Sequence, residues 1–258
     1  MSSINKRKNY ILKQSSKTIQ KSFLIDKTKN YFLLIFIFFL FFLSTCIAKS
    51  SYSLRKLNNN NEILLTISEP GEVDILNNIY DCLPNEIYIG NEKYTGEISK
   101  TINVESAESE IKLIYYSPPS SFNRMFNGLS KIRKIDFSNF DSSSVTDMEY
   151  MFQDCSDLEE INFTGFKTSS VITMEGMFLG CKKLTSLDLS DFETSAVVTM
   201  KNMFTACEGL QYLNITNFDT TSVTNFVEMF CDCQSLQSID ISSFSTLHAD
   251  LGVCSNIV

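Results

Sequence analysis

The residues with most capacity for chemistry in this 258-residue chain recur in columns: Asp136, Asn162, Asp188, Asn214 and Asp240 form one, and Cys155, Cys181, Cys207 and Cys233 another. Regularly spaced carboxylates could do acid–base work or hold calcium, and thiols could bridge, bind zinc or act as nucleophiles. Each of these chemistries needs a partner that the sequence withholds. The only histidine, His248, stands where the pattern has serine and reads as a solvated side chain, so no serine or cysteine has a base. No C-x-x-C pair occurs, and Cys231-Asp-Cys233 has no second half to complete a zinc site. Calcium along the acidic column would want a dedicated carbonyl-and-carboxylate loop, which is missing. Strands in neighbouring coils lie about 4.8 Å apart, so Asn between Asp residues doubles the distance between like charges to roughly 10 Å. The sequence therefore calls for no catalytic residue, no cofactor and no metal.

What positions these columns is a repeat. Met125-Phe126, Met151-Phe152, Met177-Phe178, Met203-Phe204 and Met229-Phe230 succeed one another every 26 residues without insertion. Phe140, Phe166, Phe192, Phe218 and Phe244 make a parallel apolar column, as do Val145, Val171, Val197 and Val223. Met148, Met174, Met200 and Phe226 form another, beside Ile132, Leu158, Leu184, Leu210 and Leu236. A unit of this length cannot bury its own apolar side, so each coil must stack on the next, giving an extended surface and no closed catalytic pocket.

Inside one unit the apolar period changes. Ile161 and Phe163 flank Asn162, and Leu187 and Leu189 flank Asp188, a period of two that predicts a short strand. Met174, Met177, Phe178, Cys181 and Leu184 fall at helical spacing and predict a turn or two of helix on the opposite wall. Ser/Thr runs such as Thr168-Ser169-Ser170 supply the corner and the helix start. The expected fold class is an α/β repeat solenoid of leucine-rich-repeat-like coils, each a short strand plus a short helix, with a small β-rich amino-terminal cap and an amino-terminal hydrophobic helix.

The segment from Met177 to Val197, with its Met-Phe, Cys181, Leu184, Leu187-Asp-Leu189 and Phe192, resembles the 26-residue repeat of bacterial surface lipoproteins within the BspA-like leucine-rich repeat family. The resemblance runs from about Met125 to Phe244, and residues 62–117 resemble the β-rich lead-in that precedes such repeats. It implies a surface-displayed, non-catalytic protein for adhesion or for binding a protein or glycan ligand.

The amino terminus suggests where the repeats reside. Residues 1–30 carry eight basic side chains against one acid, Asp26, for a charge of +7. Residues 32–43 are wholly apolar, and the stretch 31–48 reaches 18 residues, near the lower limit of about 17 for a helix crossing a bilayer. By the positive-inside rule the basic segment stays cytoplasmic and the repeats are exported. Three fates share that orientation: an uncleaved signal anchor, a signal peptide cut after Ala48, or lipidation at Cys46. The expected placement is thus a single-pass membrane protein with the repeats outside, the alternative being secretion after cleavage near Ala48. Taking +7 from the whole-chain −8 leaves −15 on residues 31–258. So acidic a segment excludes nucleic acid as a partner, because phosphate contacts require a basic footprint.

The domain reading follows: 1–30 basic region, 31–48 hydrophobic span, 49–61 spacer, 62–117 β-rich cap, 118–247 five repeats, and 248–258 a degenerate tail. The cysteine column falls beside Met and Phe on the inward face and reads as unpaired core thiols, while Cys231 and Cys254 lie off the column and could tie the last coil to the tail. Just before each strand the repeat varies, as Arg133-Lys134, Glu159-Glu160, Thr185-Ser186, Gln211-Tyr212 and Gln237-Ser238. The first two pairs should form exposed ion pairs across coils, and Tyr212, the one aromatic, is the candidate ligand contact. Asn162 and Asn214 begin N-x-T sequons and are candidate N-glycosylation sites in a host that glycosylates exported asparagines. The functional expectation is a cell-surface or secreted, non-catalytic repeat protein for adhesion or ligand binding, with an unidentified protein or glycan partner. The alternative is a structural coat component that self-associates edge to edge through its carboxyl-terminal end.

Overall fold

The structure is a computed structural model that describes residues 61–245. The chain divides into two units, Met1–Asn58 and Asn59–Val258, and every described residue lies in the second.

Ahead of the repeats come six strands: β1 (Glu62–Ile67), β2 (Gly71–Asp74), β3 (Glu86–Ile89), β4 (Glu92–Lys93), β5 (Thr101–Val104) and β6 (Glu110–Ile114). Alternation in Glu62-Ile-Leu-Leu-Thr-Ile buries Ile63, Leu65 and Ile67 on one face of β1. The repeats contribute β7 (Ile132–Asn139), β8 (Glu160–Asn162), β9 (Ser186–Asp188) and β10 (Tyr212–Asn214). One sheet runs in the order β4-β3-β6-β1-β7-β8, with β1 antiparallel to β7 and β7 parallel to β8. β1 thereby occupies the edge that the first repeat strand would otherwise offer to any passing chain. β9 and β10 pair in parallel, and a Tyr212–Ser238 bridge carries the ladder to the fifth coil.

The columns read from the sequence lie inside. The Met-Phe pairs and the Val, Phe and Leu columns are buried, apart from Phe230, Leu236 and Phe244 near the carboxyl-terminal limit of the described residues, which are partly buried. Phe126, Phe152, Phe178, Phe204 and Phe230 stack face to face at centroid separations of 5.7, 5.5, 5.6 and 5.6 Å. Such aromatic pairs contribute about 0.5–1.5 kcal/mol each beyond the area they bury.

The expected helix does not form: among the described residues there is no helix, and the coils are strand and turn. The spacing of the phenylalanine stack explains why. Coils advancing by about 5 Å leave no room for helices, which pack 8–10 Å apart. The Met-Phe segment instead forms overlapping turns whose amides alternate in direction. Met151, Gln153 and Cys155 donate within their coil to Met148, Tyr150 and Phe152, whereas Tyr150, Phe152 and Asp154 donate to Glu175, Met177 and Leu179 of the next. The same alternation recurs at Gly176, Phe178 and Gly180, and at Asn202, Phe204 and Ala206. Left-handed residues make it possible, and they fall in two columns. Arg124, Tyr150, Gly176, Asn202 and Glu228 form one, and Gly128, Asp154, Gly180, Ala206 and Asp232 the other, with φ between 53° and 76°. Two such residues per coil are incompatible with a right-handed helix.

The predicted amino-terminal hydrophobic helix falls at residues 31–48, outside the described residues. The single-pass membrane placement is corrected on this finding: among the described residues, no helix is long and apolar enough to cross a membrane. The spacer at 49–61 lies outside the described residues but for Asn61, and so does the tail at 248–258.

Candidate ligand-binding face

Most polar groups of the coil are committed to stacking. At the corner, the buried hydroxyls of Ser142, Thr168 and Thr194 donate to the carbonyls of Lys167, Glu193 and Asp219 at 2.9–3.0 Å, one coil ahead. The first two also accept from the amides of Lys167 and Glu193. Each column thiol donates to a phenylalanine carbonyl of the preceding coil: Cys155 to Phe126, Cys181 to Phe152, Cys207 to Phe178 and Cys233 to Phe204, at 2.9–3.1 Å. All four are unpaired, as their inward position predicted. Burial pushes the Cys155 thiol up to about 12 and Cys233 up to about 11, and raises Cys181 and Cys207 well above the usual range. They are protonated packing groups, not nucleophiles. Cys231 is disulfide-bonded, the other five described cysteines are free, and Cys254 lies outside the described residues.

The carboxylate and amide column has a role that its spacing did not reveal. Asp136, Asn162, Asp188, Asn214 and Asp240 each accept, through Oδ1, the amide of the residue two positions on, closing an Asx turn that ends the strand at Asn162, Asp188 and Asn214. Asn162 Nδ2 also donates to Asp136 Oδ2 at 3.0 Å. Backbone and side-chain hydrogen bonds from Ser190 hold the Asp188 carboxyl below its ordinary range, and those from Ser242 do the same for Asp240. Among the described residues no group of three or more His, Cys, Asp or Glu could hold a metal ion. The sequon residue Asn162 is thus half-buried, with the nitrogen that a glycan would modify already in contact with Asp136, and Asn214 occupies the equivalent place in β10. His248 lies outside the described residues.

The outward strand wall divides in two. In coils one and two, Arg133 Nε meets Glu159 Oε2 at 2.7 Å and Lys134 Nζ meets Glu160 Oε2 at 2.7 Å, while Arg133 Nη1 also contacts Glu108. Those charges satisfy one another. In coils three to five, Thr185, Ser186, Gln211, Tyr212, Gln237 and Ser238 are all exposed and none is ionisable except the tyrosine. Tyr212 is 60% exposed and sits in register between Ser186 and Ser238. The residues on either side are serines, too small to cover a phenol ring. Among the described residues its hydroxyl has no hydrogen bond and its ring touches no other ring. The sequence pointed to Tyr212 as the single aromatic of a variable position, but not to the flanking serines that free it.

A second aromatic went unnoticed. The Arg124 guanidinium lies 4.3 Å from the centre of the Tyr150 ring, and that ring covers Gly176, where an added Cβ would come within 2.3 Å of it. Tyr150 donates to Glu175 Oε1 at 2.9 Å and is fully occupied within the wall. The clue in the sequence was a glycine, Gly176, at a column that otherwise holds the polar side chains of Arg124, Tyr150, Asn202 and Glu228.

Family models match the repeat region. Residues 109–191 match the family described as BspA type leucine-rich repeat region (6 copies), and residues 184–250 match Mycoplasma protein of unknown function, DUF285. A crystal structure of a leucine-rich repeat protein from Bacteroides ovatus is 21% identical, the match covering 61% of this chain and 46% of that one with a TM-score of 0.29. The chain therefore spans about half the length of that solved protein. No curated protein matches. Residues 109–191 thus match leucine-rich repeats of the BspA type, and the coil register seen there continues to Ser238.

Proposed function

We propose that the protein is a non-catalytic adhesion or ligand-binding protein whose contact surface is the strand wall of coils three to five. One observation carries this reading: at the corner and among the inward thiols of the turn wall, polar groups are spent on holding coils together, whereas Tyr212 and its neighbours are exposed and unspent. A stacked solenoid offers such a wall without a closed pocket, and recognition by an extended surface is what this shape supports. Catalysis finds no support in the buried, protonated thiols or in the Asx-turn carboxylates, which are structural.

Adhesion of the full-length chain to protein-coated and glycan-coated surfaces tests the reading, with Tyr212→Ala compared at equal folded concentration. Retention that drops with Tyr212→Ala supports it. Retention unchanged by that substitution but abolished by the double substitution Ile172→Ser and Val198→Ser would move the contact to the corner, where these two apolar side chains are exposed. The edge-to-edge coat alternative predicts sedimentation that depends on protein concentration and adhesion that does not require Tyr212.

A further inference from the structure

Resting on that strand-wall reading, we infer that the ligand is an uncharged carbohydrate chain lying across β9, β10 and the fifth coil, with one sugar ring stacked on Tyr212. Three observations converge. First, the ring is the largest exposed apolar surface on this wall between Thr185 and Ser238, and Ser186 and Ser238 on either side are too small to cover it. The face of a sugar that carries only C–H bonds is apolar and weakly positive, and it suits the negative face of a phenol ring. Second, the groups around the ring are hydrogen-bonding amides and hydroxyls, not apolar side chains. Gln211, Gln237, Thr185, Ser186 and Ser238 are exposed, and the free Tyr212 hydroxyl adds a donor and an acceptor. Hydroxyls of a sugar need both, in quantity, and parallel strands about 4.8 Å apart present them at even intervals. A protein partner would instead want clustered apolar anchors, and the exposed Ile172 and Val198 belong to a different column.

Third, charge selects among carbohydrates. Residues 185–188, 211–214 and 237–240 contain no lysine or arginine, whereas Asp188 and Asp240 are present on the same strands. Both carboxyls are held ionised by their Asx-turn hydrogen bonds. A sulfated, phosphorylated or sialylated chain would meet Asp188 and Asp240 here, the nearest lysines, Lys182 and Lys183, being paired with Glu208 and Asp157, while a neutral chain finds two carboxylates able to accept its hydroxyls. The basic side chains of the wall, Arg133 and Lys134, are two coils away and already paired with Glu159 and Glu160.

The experiment is a binding assay of the full-length chain against immobilised maltoheptaose, cellohexaose, chitohexaose and mannohexaose, with a heparin oligosaccharide and a sialylated oligosaccharide alongside. Retention on at least one neutral chain is expected, little changed between low and high salt. Tyr212→Ala should weaken it at least tenfold, and Tyr212→Phe, which keeps the ring and loses the hydroxyl, by less. Because the side chain is exposed, both variants should keep the unfolding midpoint of the parent. Binding confined to the charged oligosaccharides, or neutral binding indifferent to Tyr212→Ala, would overturn the inference. Protein adhesion that needs Tyr212 while every neutral chain fails would overturn the carbohydrate assignment and leave the strand-wall reading standing. Failure of Tyr212→Ala to affect any ligand would remove both.

Discussion

On the turn wall of each coil, alternate amides reach to the next coil, a thiol donates to a carbonyl of the previous one, and phenylalanines stack on both sides. On the strand wall the backbone is equally paired where strands form, but the outward side chains change from coil to coil, charged and mutually neutralised first, then uncharged and open. The turn wall is over-determined, since any change must fit two neighbours. The strand wall is constrained only through its inward residues and its Asx turns. Stability should therefore reside in the first and specificity in the second.

The sharpest way to break that contrast is alkaline pH. Burial raises the pKa of the four column thiols above an ordinary value near 9, so the folded state holds protons that the unfolded state releases. Their stabilisation is fully present below about pH 8.5 and is lost as pH rises towards the folded values, at up to about 1.4 kcal/mol per unit for each thiol. Denaturation midpoints should hold up to about pH 8.5 and fall steeply from about pH 9 towards pH 11. Flat midpoints, or rapid alkylation of all four thiols in the folded protein, would contradict the buried column.

Next in size is Phe178→Ala, which removes a ring stacked between Phe152 and Phe204 and should cost about 3–5 kcal/mol in urea unfolding. A loss under 1 kcal/mol would mean that the stack is not the core. Gly176→Ala should follow at about 1–2 kcal/mol, from its φ of 58° alone, and more if the Tyr150 ring cannot move aside. Pairing it with Tyr150→Ala should recover the steric part and leave the backbone part. The smallest effect belongs to the strand wall: Arg133→Ala breaks exposed pairs with Glu159 and Glu108 and should cost no more than about 1 kcal/mol, shrinking further in high salt.

Much of this was legible in the sequence. The Met-Phe interval fixed the coil, the alternation around Asn162 and Asp188 marked the strands, and the apolar company of Cys181 placed its thiol in the core. The helix was misread because Met174, Met177, Phe178 and Cys181 fall inward in a run of three-residue turns as readily as in a helix. What separates the two is backbone sign, and the signal was present in part: Gly128, Gly176 and Gly180, with Asp154 and Asn202, cluster in two columns that favour positive φ. Arg124, Tyr150, Ala206 and Glu228 share those columns and hid the pattern, since such residues rarely adopt that conformation. The Asp/Asn column was seen as a matter of charge spacing because side-chain capping two residues ahead leaves no mark beyond Ser or Thr at that position. For the candidate site, Tyr212 could be picked out. The serines of adjacent coils that expose its ring become neighbours only once the register is known.

The most direct test of the division between walls is ligand retention per folded molecule for the full-length chain, Tyr212→Ala and Cys181→Ala measured side by side. Tyr212→Ala should unfold like the parent and lose retention, while Cys181→Ala should lose stability and retain ligand fully at temperatures where it is folded. The reverse outcome, with retention surviving Tyr212→Ala and vanishing in folded Cys181→Ala, would contradict it.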